Sequence, residues 1–237
     1  MKFPFRRKTG PVAPPRGYDQ WSDTYDTQPD NAVLALESAL FTELLQRVDI
    51  NGRVVLDVGC GTGRHWSEIL SRNPARLLGA DPSQGMLEQL KSRVPDANVI
   101  CTEGDRLTVI PSDSIDIVVS TLALAHIRSA SQALEEWSRV LHRGGSILIT
   151  DFHADAAKAG MKRTFESPGG TIEIEQHTVE LDRLRSIAAD CGLAVAFVAE
   201  RAIDESVRTL FRGDAAQQKY QQYFGLRLVF GIHLTKP

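Results

Sequence analysis

Residues 54–63 read Val54-Val55-Leu56-Asp57-Val58-Gly59-Cys60-Gly61-Thr62-Gly63, an apolar run that ends in three glycines. Val54, Val55, Leu56 and Val58 are β-branched or aliphatic and follow Asn51-Gly52, the pattern of a parallel strand buried on both faces. Asp57 is the polar exception. Gly59, Gly61 and Gly63 allow a tight turn at positive φ with no Cβ in the way, and Thr62 can cap a helix starting near Gly63. Backbone N–H groups then point beyond the strand end, so residue 59 onward is the expected floor of a nucleotide-sized site.

Arg76 to Ala80 reads as the next strand, and Asp81 closes it 18 positions after Gly63. In a doubly wound sheet an acid at that place can accept both ribose hydroxyls. Nicotinamide-binding oxidoreductases share this plan, but their G-x-G-x-x-G fingerprint needs a third glycine where this chain has Arg64.

The stretch Leu56 to Gly63 resembles the first motif of class I S-adenosylmethionine-dependent methyltransferases, in particular the broad group that methylates small molecules such as quinones. Ala80-Asp81-Pro82-Ser83 with Met86-Leu87 resembles that family's second motif, Glu103-Gly104-Asp105 its adenine-holding segment, and Ser114 to Ser120 its fourth strand. Arg139 to Ile149 resembles the helix, glycine turn and fifth strand. The resemblance implies an α/β fold with a doubly wound, mostly parallel, seven-stranded Rossmann-like sheet ending in an antiparallel hairpin. It also implies S-adenosylmethionine as cofactor and S-adenosylhomocysteine as product. By the same resemblance Gly59, Cys60, Gly61 and Gly63 would carry the methionine part and Asp57 would hold its cationic amino end. Asp81 would accept from the ribose and Asp105 from the adenine amine, with the backbone from Gly104 to Arg106 beside it. Met86 would pack on the adenine and Thr121 would add a contact at the end of the fourth strand. Two alternatives stay open: Asp57 as a strand-end acid binding backbone N–H groups, and Met86 as ordinary core at helical spacing.

The rest of the chain alternates. Asp30 to Val48 places Val33, Leu36, Leu40, Leu44 and Val48 on one helix face. Helices are expected near 63–72, 83–93 and 130–142, between strands near 76–81, 97–102, 115–120 and 145–151, which implies a parallel sheet. Beyond these, Thr171–Glu175 alternates like an edge strand, Thr178–Cys191 reads as a helix, Leu193–Ala199 is an apolar run, and a last strand is expected from about Tyr223 to Leu234. The expected organisation is a tail and lid over 1–29 and one domain over 30–237, with an acceptor-site insertion near 152–177.

Composition narrows the function. The 237 residues carry a net charge of −3, which gives no general attraction to nucleic acid or to an anionic membrane. Lys2, Arg6, Arg7 and Lys8, followed by Pro11, Pro14 and Pro15, read as a solvated, disordered terminus rather than a binding arm. No signal peptide and no run of about 18 apolar residues is present, so a cytoplasmic protein is expected. Cys60, Cys101 and Cys191 suggest neither a disulfide framework nor a metal site.

Tyr18, Trp21 and Tyr25 fall at i, i+3 and i+7, one face of a short helix. The segment resembles the N-terminal lid of small-molecule methyltransferases, where a ring near a sulfonium gains roughly 0.5 to 2 kcal/mol; Tyr18 and Tyr25, rather than Trp21, are the expected contacts. If the acceptor must lose a proton, His126 after the fourth strand is the first candidate base and His153 after the fifth the second. A helix cap or a pocket wall is the alternative role for His126. The Asn/Asp-Pro-Pro-Tyr element of nucleobase and glutamine methyltransferases is replaced by Ser120-Thr121-Leu122-Ala123-Leu124-Ala125-His126. A small organic acceptor methylated on O, N or C is therefore expected, with no nucleic-acid or membrane partner and a monomer or homodimer as the assembly. The competing readings are an NAD(P)-dependent oxidoreductase and a non-catalytic S-adenosylmethionine-binding protein.

Overall fold

In the computed structural model, which describes residues 10–27 and 31–237, the apolar runs become strands β1 (Val54–Val58), β2 (Arg76–Asp81), β3 (Asn98–Cys101), β4 (Ile115–Thr121) and β5 (Leu141–Phe152). Between and before them lie helices α1 (Pro14–Trp21), α2 (Ala32–Leu45), α3 (Trp66–Leu70), α4 (Gln84–Arg93) and α5 (Ala130–Val140). The remainder comprises α6 (Ala154–Lys158), β6 (Thr164–Ser167), β7 (Gly170–Glu173), α7 (Leu181–Asp190), β8 (Ala194–Ala202), α8 (Asp214–Tyr223) and β9 (Arg227–Thr235). The seven-stranded sheet runs β3-β2-β1-β4-β5-β9-β8. Its first five strands are parallel, and β9 inserts antiparallel between β5 and β8. Because the chain moves outward from β1 to β3 and then returns to β4 on the other side, the crevice between the carboxyl ends of β1 and β4 is the switch point where such sheets bind ligands.

Alternation along β1 sorts the core. Val55 packs with Phe41 and Leu44 of α2, Trp66 and Ile69 of α3, and Leu87 and Leu90 of α4. Leu56 and Val58 face the opposite side, with Leu134 and Trp137 of α5 and Leu184 and Ile187 of α7. Both faces of the central strands are covered, as a parallel sheet requires. No helix among the described residues is long and apolar enough to cross a membrane.

Four expectations are corrected. The helix after the glycine loop begins at Trp66, not near Gly63: residues 61–65 form turns, the Gly63 N–H donates to the Cys60 carbonyl at 2.8 Å, and the Thr62 hydroxyl donates to Asp26 instead of capping. Thr171–Glu175 does not edge the main sheet; Gly170–Glu173 pairs with Thr164–Ser167 in a separate hairpin. The last strand starts at Arg227, because Asp214–Tyr223, rich in helix-forming Ala, Gln and Lys, is helical. The order of the prolines also differs. Pro14 and Pro15 open α1, where a missing N–H is tolerated, and Val12 exchanges hydrogen bonds with Glu173 and Glu175. Lys2, Arg6, Arg7, Lys8 and Asp30 lie outside the described residues.

One polar knot ties α2 to the glycine loop. Glu37, fully buried in α2, meets the Arg64 guanidinium at 2.5 Å, the His65 ring at 3.2 Å and the Thr150 hydroxyl of β5 at 2.5 Å. Burial pushes the Glu37 carboxyl up, but His65, Arg64 and Thr150 outweigh it and hold the group below its usual range. Arg64, the residue that breaks the dinucleotide pattern, is thus a structural cation. Glu37→Ala leaves that cation unpaired and is expected to destabilise the fold by about 3 kcal/mol in chemical denaturation; a loss below about 1 kcal/mol contradicts the assignment.

Candidate functional site

At the switch point the loops after β1, β2 and β4 and the segment Tyr18–Tyr25 enclose a cleft of about 680 Å³. Its floor is the glycine loop. The Gly59 N–H donates to the Ala80 carbonyl at 2.7 Å, and a Cβ on Gly59 would come within 2.2 Å of the Ala123 methyl, so only glycine lets the β1 and β4 loops close up. Gly61 faces open space. Its N–H donates to Asp81 Oδ2 at 2.8 Å, while Asp81 Oδ1 accepts from the Ser83 N–H at 2.8 Å. Burial pushes the Asp81 carboxyl up to about 6 even though both N–H groups lower it.

Asp57, two residues before Gly59, accepts from Trp66 Nε1 at 2.9 Å through Oδ2, and its buried Oδ1 has no partner. Burial raises it to about 7, with the Trp66 bond working the other way. An unmet buried acceptor is costly unless something meets it. Asp57 is buried and is not itself among the residues lining the cleft, but its orphan oxygen beside the glycine loop, with the open backbone at Gly61 and the carboxyl of Asp81, suits a ligand with a cationic amino end and a ribose, so the residues present fit S-adenosylmethionine.

The structure sorts the remaining candidates. Gly59, Gly61, Asp81, Met86, Gly104, Thr121, Tyr18, Tyr25 and His126 line the cleft together. Cys60 does not: its sulfur packs under the loop against β2, where a Cβ on Gly79 would meet it at 2.7 Å, and its N–H goes to Ala80. Gly63 likewise serves packing, since a Cβ there would strike Leu90 at 2.4 Å. Asp105 and Arg106 are not among the lining residues; Glu103, Gly104 and Ile127 form that wall. His153 also lies elsewhere. Its Nδ1 accepts from the Asp155 N–H as the cap of α6, and its Nε2 meets Glu200 at 2.7 Å.

The lid is docked. After α1 the chain continues as a 3-10 helix over Ser22–Thr27, and Trp21 stacks on Phe165 of β6 with ring centroids 4.8 Å apart, leaving Tyr18 and Tyr25 to the cleft. Asp19 accepts from the Ser83 hydroxyl at 2.6 Å and the Gly85 N–H at 3.0 Å, both at the start of α4, where an anion is favoured. Asp26 accepts from the Thr62 hydroxyl and pairs with Arg93.

His126 joins lid and β4. Its Nδ1 lies 3.0 Å from the Glu175 carbonyl oxygen, which only accepts, so Nδ1 carries the proton and Nε2 accepts from the Tyr18 hydroxyl at 2.9 Å. Burial, helped by the charge of Arg163, lowers His126 to about 4, and burial raises Tyr18 to about 12. A second cavity of about 390 Å³ begins at Leu122 and His126 and is walled by Val33, Asp151, Phe152, Lys162, Arg163 and Gln176. Leu122 stands at the junction with φ +52°, a left-handed conformation rare for a leucine, secured by its N–H bond to Thr150. No local pattern in the sequence marks Leu122 or Arg163, and Glu103 lines the cleft from within the segment read as the adenine wall, where Asp105 was the expected contact.

Comparison with known proteins supports a class I S-adenosylmethionine-dependent methyltransferase. Residues 56–149 match the model of a methyltransferase domain. An uncharacterized methyltransferase of Geobacillus thermodenitrificans is 29% identical over 198 residues, 78% of this chain and 91% of that protein. The fold matches a putative S-adenosylmethionine-dependent methyltransferase from Listeria monocytogenes with a TM-score of 0.65 at 20% identity, over 84% of this chain and 99% of that one. It also matches the [4+2]-cyclase SpnF, with a TM-score of 0.68 at 19% identity over 97% and 99% of the two chains. At these identities the structural likeness speaks for the fold alone, and these findings set the nicotinamide reading aside.

The lid's attachment makes a testable claim. Asp19→Ala removes the acceptor shared by Ser83 and Gly85, and it is expected to expose residues 14–27 to limited proteolysis and weaken S-adenosylhomocysteine binding about tenfold. An unchanged cleavage pattern and affinity would show that the aromatic packing alone holds the lid.

Proposed function

We propose that this methyltransferase acts on a small organic acceptor seated in the second cavity, beneath a lid formed by residues 14–27 and against the insertion over 152–177. One observation carries the reading: the two cavities share Leu122 and His126, so a molecule held in the second would meet the contents of the first at that junction. The net charge of −3 and the aromatic lid argue against a polymer acceptor such as RNA.

The roles of the chain's own residues follow. Asp57 would receive the cofactor's amino end on its orphan Oδ1, Asp81 the ribose, and Met86 and the Gly104 wall the adenine. Tyr18 and Tyr25 cover the reacting end and exclude water, which strengthens the electrostatic interactions inside. When bound, S-adenosylmethionine supplies an activated methyl group: an acceptor lone pair forms the new bond as the carbon–sulfur bond breaks, its electrons passing to sulfur. Positioning supplies most of the rate in such a displacement. His126 keeps a neutral, accepting Nε2 at the junction because its Nδ1 proton is fixed on the Glu175 carbonyl. An acceptor hydroxyl or ammonium that replaces the Tyr18 hydroxyl there would pass its proton to Nε2.

The test is S-adenosylhomocysteine release across a panel of small phenols, amines, acids and carbon acids, with RNA and protein substrates alongside. Turnover is expected with members of the small-molecule set only. With the enzyme saturated with S-adenosylmethionine, so that Asp57 and Asp81 are already engaged, His126 protonates near 4 and kcat/KM for the acceptor is expected to be level from about pH 5.5 to 8 and to fall as pH drops toward 4. Turnover on RNA or protein alone would sink the acceptor assignment, and a loss centred near pH 6.5 would remove His126 from this role.

A further inference from the structure

We infer that the acceptor carries a carboxylate and that Arg163 is the residue that selects it; the inference rests on the methyltransferase reading and assigns the substrate class of the same site. Arg163 precedes β6 and lines the second cavity. Its guanidinium lies 4.7 Å from the Trp21 ring centroid and donates to the Tyr25 hydroxyl at 3.2 Å. Among the described residues it has no carboxylate partner, although thirteen other arginine and lysine side chains come within 4.0 Å of an acid. A cation half withdrawn from water and held by hydroxyls and a π face is left with unused donors and an uncompensated charge.

The neighbouring acids are committed elsewhere. Asp151, on the same cavity wall, accepts from the Ala125 N–H at 2.6 Å through Oδ2 and from the Phe152 N–H at 2.6 Å through Oδ1. Glu173 is taken by Lys162 at 2.7 Å. Gln176 binds the Arg163 backbone N–H through its carbonyl oxygen, which leaves its amide as a neutral donor beside the guanidinium. One unneutralised guanidinium with one amide suits a single negative charge. A phosphate dianion would need a second free cation, and Lys162 is already neutralised.

The planar fork of Arg163 would bind the carboxylate bidentately. Its far end would then point toward Leu122 and His126, where the two cavities meet. The carboxylate therefore fixes which atom of the acceptor faces the methyl donor. This also explains why an arginine is spent on a wall whose other ring contacts, Trp21 on Phe165 and Trp21 on Tyr25, are already made.

The test uses the full chain saturated with S-adenosylhomocysteine and a set of monocarboxylic acids from propionate to benzoate, hydroxybenzoates and α-amino acids, each paired with its primary amide. In calorimetric titration the acids that bind are expected to do so at least about tenfold more tightly than their amides. Arg163→Gln is expected to erase that preference while the affinity for S-adenosylhomocysteine stays within about twofold, and Arg163→Lys to keep part of it. Thermal melts report folding; should Arg163→Gln not fold, the acid-to-amide ratio in the native chain and in Arg163→Lys decides. Amides binding as well as acids, or no acid binding to a chain that does bind S-adenosylhomocysteine, overturns the proposal. Failure to bind S-adenosylhomocysteine at all would instead remove the reading beneath it.

Discussion

The carboxyl group of Asp81 is the point on which the site depends. One oxygen holds the Gly61 N–H and the other the Ser83 N–H, so a single side chain fixes the glycine loop to the start of α4. Ser83 passes the restraint on, because its hydroxyl donates to Asp19 of the lid while also accepting from the Met86 N–H. Loop, helix start and lid are therefore registered through one buried acid. A carboxylate in that position is costly to bury, and the two backbone donors keep it ionisable near neutrality.

A second set of contacts spans the cleft from the opposite side. His126 binds Glu175 through one nitrogen and Tyr18 through the other, and Tyr25 reaches Arg163 on the strand-hairpin side. The lid thus rests on α4 through its acids and on the β6–β7 hairpin through its rings. Displacing the Tyr18 hydroxyl from His126 would open the junction of the two cavities without releasing Asp19. Closure over the cleft and access to the acceptor cavity are in this way separable.

Much of the fold was legible because buried parallel strands are apolar runs bounded by turn residues, and the β1 and β2 runs ended in a glycine and an acid. The seven-stranded sheet and its antiparallel strand follow from that pattern together with the family resemblance. The place of Asp81 at the cleft was legible as well, since a strand-end acid there lies on the edge where such sheets bind ligands. Less could be read where tertiary contacts decide. Thr62 looked like a helix cap, yet Asp26, 36 residues away, takes its hydroxyl. Cys60 sat among glycines, yet its side chain packs into the core under the loop. His153 shared His126's strand-end position, but Glu200 and the start of α6 claimed its ring. Glu37 and Arg163 carry no local signal at all: one is an acid on a mostly apolar helix and the other one of many arginines, and only their burial and partners give them meaning.

The central claim is that the glycine loop, with Arg64 rather than a third glycine, forms the floor of an S-adenosylmethionine site. Calorimetric titration of the chain with S-adenosylhomocysteine and, separately, with NAD tests it most directly. Stoichiometric binding of S-adenosylhomocysteine at micromolar concentrations, with no heat from NAD, is the predicted result. Binding of NAD with none of S-adenosylhomocysteine would contradict it.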